Sequence, residues 1–119
     1  MSAHEKINYL EFPARDIDLT KTFFQAAFEW TFVDYGPDYV ACGNAGIDVG
    51  FFKSELIATS ESGSVLIVFY SQNLKQTLAK VEAAQGAIIK PIFSFPGGRR
   101  FHFSDPNGNE FAVWSEDSE

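Results

Sequence analysis

The sequence predicts a single α+β domain in which one unit, a strand followed by a helix and three strands, occurs twice. Two stretches show helical spacing of apolar residues, and each is preceded by one strand-like run and followed by three more. A repeat of this length is typical of duplicated supersecondary units. The 119 residues suffice for one core but not for two. The predicted domain is therefore 1–119, with module one at about 5–53, a linker at about 54–63 and module two at about 64–116.

The first module is predicted to begin with a strand at 6–13, whose alternation places Tyr9 and Glu11 on one face. Asp16 is a suitable N-cap for a helix that extends to about Phe28. The apolar stripe of this helix is expected to pack against a sheet, and it consists of Leu19, Phe23, Phe24, Ala27 and Phe28. Three strands follow, at 30–35, 39–42 and 47–52, separated by glycine-containing turns.

The second module follows residues 53–63, which lose all periodicity and predict a linker or a mobile flap. Residues 64–70 form a nearly continuous apolar run, which predicts a strand covered on both faces. Asn73 is the expected N-cap of the second helix, and Gly86 is expected to end it as the C′ residue. Its predicted buried stripe consists of Leu74, Leu78 and Val81. The remaining strands are 88–95 and the two that flank the turn at 105–108.

Composition and charge limit the classes of partner. The net charge of −7 and the absence of a basic stripe argue against nucleic acid, whereas a cationic small ligand is electrostatically favoured. Thirteen phenylalanines predict an unusually aromatic interior or pocket. The single cysteine, Cys42, excludes an internal disulfide framework and suits a reducing compartment. No apolar signal core opens the sequence and no run approaches membrane-spanning length, so we expect a soluble, cytoplasmic protein without a membrane partner.

The stretch from Arg99 to Trp114, RRFHFSDPNGNEFAVW, carries the best candidate chemistry. Alternation on its two strands predicts that Arg100, His102 and Glu110 share one face, which would bring a cation, a base and an acid together. Between the strands, Asp105-Pro106-Asn107-Gly108 is a turn, in which the Asp and Asn side chains can hydrogen-bond their own backbone and the glycine accepts a positive φ.

Three motifs resemble the vicinal oxygen chelate superfamily, which includes glyoxalase I, bleomycin-resistance proteins and extradiol dioxygenases. They are INYLEFPARDIDLTKTFF followed by FEW, NLKQTLAKVEAAQGA, and the RRFHFSDPNGNEFAVW stretch, which together span nearly the whole chain. The resemblance implies two βαβββ modules whose curved sheets form a cup, often paired across a dimer. It therefore implies a homodimer that handles a small molecule.

In metal-dependent members of that superfamily, the ligands come from the first and fourth strands of each module. Carried over to this sequence, those positions are Tyr9, Gly50, Leu66 and Ala112, none of which is a usual ligand for a divalent ion. Carboxylates do lie one pleat away from three of these positions, at Glu11, Asp48 and Glu110. A displaced site of Glu11, His102 and Glu110 therefore remains an alternative, and the sequence does not identify a cofactor.

Each candidate residue also has a structural interpretation. Glu11 is either a rim carboxylate paired with an arginine or a general base in the cup, and Glu110 is either exposed or catalytic. His102 is a structural histidine or an oxyanion stabiliser. Arg100 is a clamp for a carboxylate or phosphate or, like Arg99, part of an exposed hairpin. The candidate substrate-contacting residues are Tyr9, Tyr39, Phe51, Arg100 and Trp114, and the aromatic ones are equally compatible with packing between sheets.

Three functions remain open. The first is an enzyme of the lyase or isomerase type, similar to glyoxalase, in which Glu11 or Glu110 removes a proton next to a carbonyl and His102 or Arg100 stabilises the oxyanion. The second is a protein that binds without catalysis, similar to antibiotic-sequestering members, and whose acidic, aromatic cup suits a cationic planar ligand. The third is a structural dimer whose cup is filled by its own side chains.

Overall fold

The computed structural model describes residues 3–116 and confirms the predicted fold class, with two βαβββ units in chain order. Residues 1, 2 and 117–119, which the predicted domain also includes, lie outside the described part. The elements are β1 (Tyr9–Ala14), α1 (Ile17–Phe28), β2 (Phe32–Asp34), β3 (Tyr39–Cys42), β4 (Asp48–Lys53), β5 (Ile67–Tyr70), α2 (Leu74–Ala83), β6 (Ala87–Phe95), β7 (Gly98–Ser104) and β8 (Glu110–Ser115). Within 3–116, neither helix is long and apolar enough to cross a membrane.

Each unit forms its own four-stranded mixed sheet, in the order β1-β4-β3-β2 and β5-β8-β7-β6. In both sheets the first strand pairs in parallel with the fourth, and the other neighbours are antiparallel. The registers correspond, since Tyr9 pairs with Asp48 in the first sheet and Ile67 pairs with Phe111 in the second. The start of the fourth strand therefore lies beside the first strand in each unit.

The core is built from phenylalanine rings contributed by both sheets and by α1. Phe24 lies 5.5 Å from both Phe51 and Phe111, measured between ring centroids, and Trp30 stacks on it at 4.4 Å. The predicted aromatic interior is thus observed. Phe51, for which the sequence allows either a substrate contact or a packing role, is fully buried and stacks on Phe12 at 5.2 Å, so in this structure it packs in the core. Alternation on β4 directs Phe51 into the core and Asp48 and Gly50 to the opposite face.

Helix α1 begins as predicted, because the side chain of Asp16 accepts a hydrogen bond from the backbone N–H of Leu19. The predicted burial of Leu19 is wrong, since this side chain lies at the edge of the apolar stripe and is 45% exposed. Thr20 is fully buried in its place. Its hydroxyl accepts a hydrogen bond of 2.8 Å from Asn107, which makes a polar residue tolerable in the core.

Strand β5 is shorter than the predicted 64–70, and the expectation that both of its faces are covered is wrong for the single chain. It is an edge strand whose Val68 and Tyr70 are 42% and 48% exposed, whereas Ile67 and Phe69 pack against the core. The sequence pattern does not reveal this difference in burial between the two faces of β5, because the outward residues are apolar as well. The outward face of β5 is therefore an exposed apolar surface in the single chain.

The end of helix α2 also differs from the prediction. Gln85, at φ 82°, and not Gly86, adopts the left-handed conformation after the C-cap. A Cβ atom on Gly86 would lie 2.7 Å from Val81 and 2.8 Å from Phe23. Glycine is therefore required at position 86 for close packing of the chain against both helices, and not for its backbone angle.

The turn between β7 and β8 joins the two modules. Asp105 behaves as predicted, with its carboxylate accepting the backbone N–H groups of Asn107 (2.9 Å) and Asn109 (3.0 Å). The side chain of Asn107 does not bond locally but accepts from the backbone N–H of Asp16 and donates to its carbonyl. Asn109 donates to the carbonyl of Pro13 at 2.7 Å. Asn107 therefore holds the N-cap residue of α1, and Asn109 holds the end of β1.

Residues 53–63, predicted as a linker or mobile flap, are tied to the start of β8 through Ala58 and Ser60. Ala58 accepts the backbone N–H of Glu110 at 2.8 Å and donates its own to the side chain of Asn109 at 2.9 Å. Two residues later, Ser60 binds the carboxylate of Glu110. The segment is thus attached to the strand that carries one of the candidate residues.

We expect an Asp105→Asn variant to gain stability relative to the wild type as the pH rises from about 4 to 7. Burial raises the pKa of Asp105 from 3.8 to about 6. The backbone N–H groups that donate hydrogen bonds to its carboxylate lower the pKa, but by less than burial raises it. Between these values the folded protein holds a proton that the unfolded chain releases, so wild-type stability falls as the pH rises through this range. Because asparagine cannot ionise, the difference in unfolding free energy between Asp105→Asn and the wild type should grow by up to about 3 kcal/mol over this pH range.

Urea unfolding of both proteins at several pH values measures this gap. Asp18→Asn, on the first turn of α1, is the control that removes the same charge from an exposed site. A gap between Asp105→Asn and wild type that stays constant from pH 4 to 7 would contradict the raised pKa.

Candidate functional site

The structure brings Arg100, His102 and Glu110 together on one face of the second sheet. His102 lies opposite Ala112 in the β7–β8 register, and Glu110 lies opposite Ser104, so the two side chains are diagonal neighbours on the same face. His102 Nδ1 lies 2.9 Å from Glu110 Oε2. Arg100 lies one pleat away along β7, with its Nε and Nη2 atoms 3.2 Å and 3.0 Å from His102 Nε2.

This network fixes the tautomer of His102. The guanidinium of Arg100 can only donate hydrogen bonds, so His102 Nε2 must be the acceptor. The ring proton is therefore on Nδ1 and is donated to the carboxylate of Glu110. His102 is only 6% exposed, and its one basic nitrogen is covered by the guanidinium. His102 Nε2, the basic nitrogen of the site, therefore already accepts hydrogen bonds from Arg100.

Glu110 is a buried carboxylate whose two oxygens are both engaged. It is 8% exposed, and Ser60 donates its backbone N–H (2.8 Å) and its hydroxyl (2.7 Å) to Oε1, while His102 donates to Oε2. Burial by itself would raise the pKa of Glu110, but the hydrogen bonds from His102 and Ser60 outweigh it and lower the pKa to about 2. Glu110 is therefore suited to orient His102 and is a poor proton acceptor.

Aromatic rings flank the guanidinium of Arg100. Its central carbon lies 6.0 Å from the ring centroid of Phe93 and 5.7 Å from that of Phe95, within the range of a cation–π contact. Trp114 lies opposite Arg100 in the β7–β8 register, and its ring is 6.2 Å from that of Phe95, measured between centroids. Within residues 3–116, Arg100 has no carboxylate partner. We call the face formed by Arg100, His102, Glu110, Phe93, Phe95 and Trp114 the second-sheet site.

Glu11 lies on the first sheet, apart from this group. Its carboxylate accepts a hydrogen bond of 2.9 Å from the hydroxyl of Tyr39, which also contacts the hydroxyl of Tyr9. The pKa of Tyr39 is raised by burial and by these two neighbours, so its hydroxyl keeps its proton and donates it. The predicted convergence of Glu11 with His102 and Glu110 is not seen in the single chain.

The metal positions implied by the resemblance do not fit a metal. Gly50, Leu66 and Ala112 carry no donor atom on their side chains, and the hydroxyl of Tyr9 is bonded to Tyr39. No three His, Cys, Asp or Glu side chains among residues 3–116 come together as a metal site. The displaced site of Glu11, His102 and Glu110 is therefore not formed within one chain, and no chemical step is assigned to a metal.

The sequence did not identify Ser60 or the pair Phe93 and Phe95 as part of this site. Ser60 lies in a segment without periodicity, fifty residues from its partner Glu110, so no local pattern indicates the contact. The phenylalanines could have been found, since they alternate on a strand that pairs with the one carrying Arg100. Phe93 lies directly opposite Arg100 in that register.

The sequence matches a family model, and the fold matches solved structures. The model of the Glyoxalase/Bleomycin resistance protein/Dioxygenase superfamily matches residues 6–113. A glyoxalase-related enzyme from Fulvimarina pelagi is 13% identical, with a TM-score of 0.78, and the match covers 93% of this chain and 88% of that chain. The genomically encoded fosfomycin resistance protein FosX from Listeria monocytogenes is 17% identical, with a TM-score of 0.77 and coverage of 97% and 96%.

A glyoxalase/bleomycin resistance protein/dioxygenase family enzyme from Burkholderia phytofirmans PsJN is 16% identical, with a TM-score of 0.76 and coverage of 92% of this chain and 98% of that chain. At these identities the solved structures establish a shared fold and leave the reaction open. No curated protein matches the sequence significantly.

Proposed function

Because this chain belongs to the Glyoxalase/Bleomycin resistance protein/Dioxygenase superfamily, we propose that its second-sheet site binds a small anionic carbonyl compound and moves a proton next to the carbonyl. One observation carries the proposal. The partly buried guanidinium of Arg100 has no carboxylate partner within residues 3–116, and it covers the basic nitrogen of a buried, oriented histidine.

Arg100 is the proposed binding group. Its guanidinium presents five N–H donors, of which two point to His102 Nε2. A carboxylate or phosphate accepts two parallel hydrogen bonds from such a fork, and these are stronger than bonds to a neutral imidazole. The rings of Phe93 and Phe95 provide an apolar surface for the rest of the ligand.

His102 is the proposed proton acceptor. When a ligand anion takes over the hydrogen bonds of Arg100, the lone pair of His102 Nε2 is released towards the ligand. The proton that it accepts makes the ring an imidazolium, which Glu110 stabilises through the Nδ1–H hydrogen bond. This assigns Glu110 the role of a positioning residue. Glu11 has no part in this mechanism, since its partner is Tyr39 of the first sheet.

Pyruvate is a suitable probe, because it is small and carries a carboxylate beside a carbonyl. We expect the wild-type protein to bind it and to speed the exchange of its methyl protons in D₂O, followed by proton NMR. An Arg100→Ala variant should weaken binding about tenfold or more. A His102→Gln variant keeps a donor for Glu110 but cannot accept a proton, and it should slow the exchange about 100-fold or more.

Arg99→Ala is the matched control, because it removes the same charge from the adjacent position. If this control and Arg100→Ala weaken pyruvate binding equally, the binding role of Arg100 is wrong. If His102→Gln exchanges the protons as fast as the wild type, the catalytic role of His102 is wrong.

A second candidate function is binding without catalysis. It is favoured by the resting arrangement, in which both oxygens of Glu110 and the basic nitrogen of His102 are already engaged. This function predicts saturable binding of pyruvate, lost in Arg100→Ala, with exchange no faster than in buffer.

We also propose that the chain forms a homodimer. Val68 and Tyr70 expose apolar surface along the edge strand β5, and exposed apolar surface of this kind is typical of protein–protein interfaces. Light scattering of the purified chain determines whether it is a dimer.

A further inference from the structure

A cavity lies on the first sheet, away from the residues of the proposed function. It has a volume of about 520 Å³, and its walls include Tyr9, Tyr35, Tyr39 and, at its edge, Asp48. Its other wall residues are small or apolar, and none is a lysine or an arginine. We call it the tyrosine pocket.

Glycine at position 50 makes the arrangement of the tyrosines possible. An ideal Cβ atom on Gly50 would lie 2.0 Å from the hydroxyl oxygen of Tyr39 and 2.5 Å from that of Tyr9. The two hydroxyls therefore rest directly on the sheet, where they bond to each other. The ring of Tyr35 lies 6.4 Å from that of Tyr39. Three aromatic rings thus surround one space, two of them held by hydrogen bonds.

The charges around this pocket are negative. Asp48 has no hydrogen-bond or ion-pair partner through its side chain within residues 3–116. Behind the tyrosines, Glu11 accepts the hydrogen bond of Tyr39. The chain as a whole has a net charge of −7, which raises the local concentration of cations.

We infer that the tyrosine pocket binds a small organic cation of the quaternary ammonium class. Such a cation is weakly hydrated and is attracted to the faces of aromatic rings. The carboxylate of Asp48 supplies the opposite charge at the edge. A hard metal ion is a poorer fit, because it requires several oxygen ligands and Asp48 is the only carboxylate in the wall. This inference does not depend on the function proposed for the second sheet.

Choline and its neutral isostere 3,3-dimethylbutan-1-ol provide the test, because they share a shape and differ in charge. Calorimetric titration of the full chain should show saturable choline binding, at least about tenfold tighter than binding of the alcohol. Asp48→Asn should weaken choline binding about tenfold by removing the opposite charge. Tyr35→Leu keeps apolar bulk at an exposed position but removes the aromatic face, and it should weaken choline about threefold or more.

Two control variants show whether the effect on choline is specific to the tyrosine pocket. Asp18→Asn lowers the net negative charge equally but lies on α1, and it should leave choline binding unchanged. Arg100→Ala, on the second sheet, should also leave it unchanged, whatever its effect on pyruvate. Equal binding of choline and the alcohol, equal effects of Asp48→Asn and Asp18→Asn, or no saturable binding because a second copy fills the pocket would each overturn the inference.

Discussion

An Asn109→Ala variant is expected to lose about 3 kcal/mol of its unfolding free energy and to melt about 10 °C lower than the wild type. Asn109 is 1% exposed. Its amide donates to the carbonyl of Pro13 at 2.7 Å and accepts from the backbone N–H of Ala58 at 2.9 Å. Alanine leaves both backbone groups without these partners, at a cost of about 1 to 3 kcal/mol for each that stays buried.

The chain offers a matched control in Asn73, which caps α2. Its side chain accepts one hydrogen bond, from the backbone N–H of Gln76 at 3.1 Å, at an exposed helix end. Asn73→Ala should cost about 1 kcal/mol, as is usual for the loss of an N-cap. Chemical and thermal unfolding of the two variants measure the difference. Equal losses would show that Asn109 does not join the modules in the way its hydrogen bonds indicate.

Replacement of Gly98 by alanine is expected to cost about 2 to 3 kcal/mol and to weaken the second-sheet site. The new Cβ atom would lie 2.0 Å from the carbonyl oxygen of Ser115 and 3.0 Å from the Cα atom of Glu116. These are backbone atoms at the end of β8, so a side-chain rotation cannot relieve the clash. The first residues of β7 must move instead, and Arg100 lies two residues further along that strand.

Gly43→Ala is the control for this variant, because its nearest contact would be an ordinary one of 3.8 Å to the carboxylate of Asp48. We expect Gly43→Ala to unfold as the wild type does and to bind pyruvate equally well. Gly98→Ala should bind pyruvate several times more weakly at a temperature where it is still folded. Wild-type stability in Gly98→Ala would show that β7 and β8 separate more easily than their paired backbones suggest.

Local patterns in the sequence were sufficient for much of the fold. Both N-caps, Asp16 and Asn73, act as predicted, since a cap needs only its own side chain and the N–H groups of the next turn. The shared face of Arg100 and His102 follows from alternation on one strand, and Glu110 follows from the short turn that joins that strand to the next. These are interactions between residues close in the chain.

Contacts between residues that are distant in the chain do not follow from local sequence patterns. Alternation on β1 and β7 places Glu11 and His102 on definite faces but does not determine how far apart the two sheets hold them. Phe51 fits the sequence pattern of a pocket wall as well as that of a core residue, and only the packing of Phe12 and Phe24 against it distinguishes the two. Ser60 acquires its role from a loop whose path no periodicity predicts.

The sequence by itself thus determined the βαβββ repeat, the caps and the polar face of the last hairpin, because these follow from backbone periodicity and short-range hydrogen bonds. Only the tertiary structure decided that Asn107 and Asn109 join the modules, that Glu110 orients His102 while Arg100 covers it, and that Glu11 stays with Tyr39. The physical reason is that a buried polar group must find its partner wherever packing brings one within reach, however far away that partner lies in the chain.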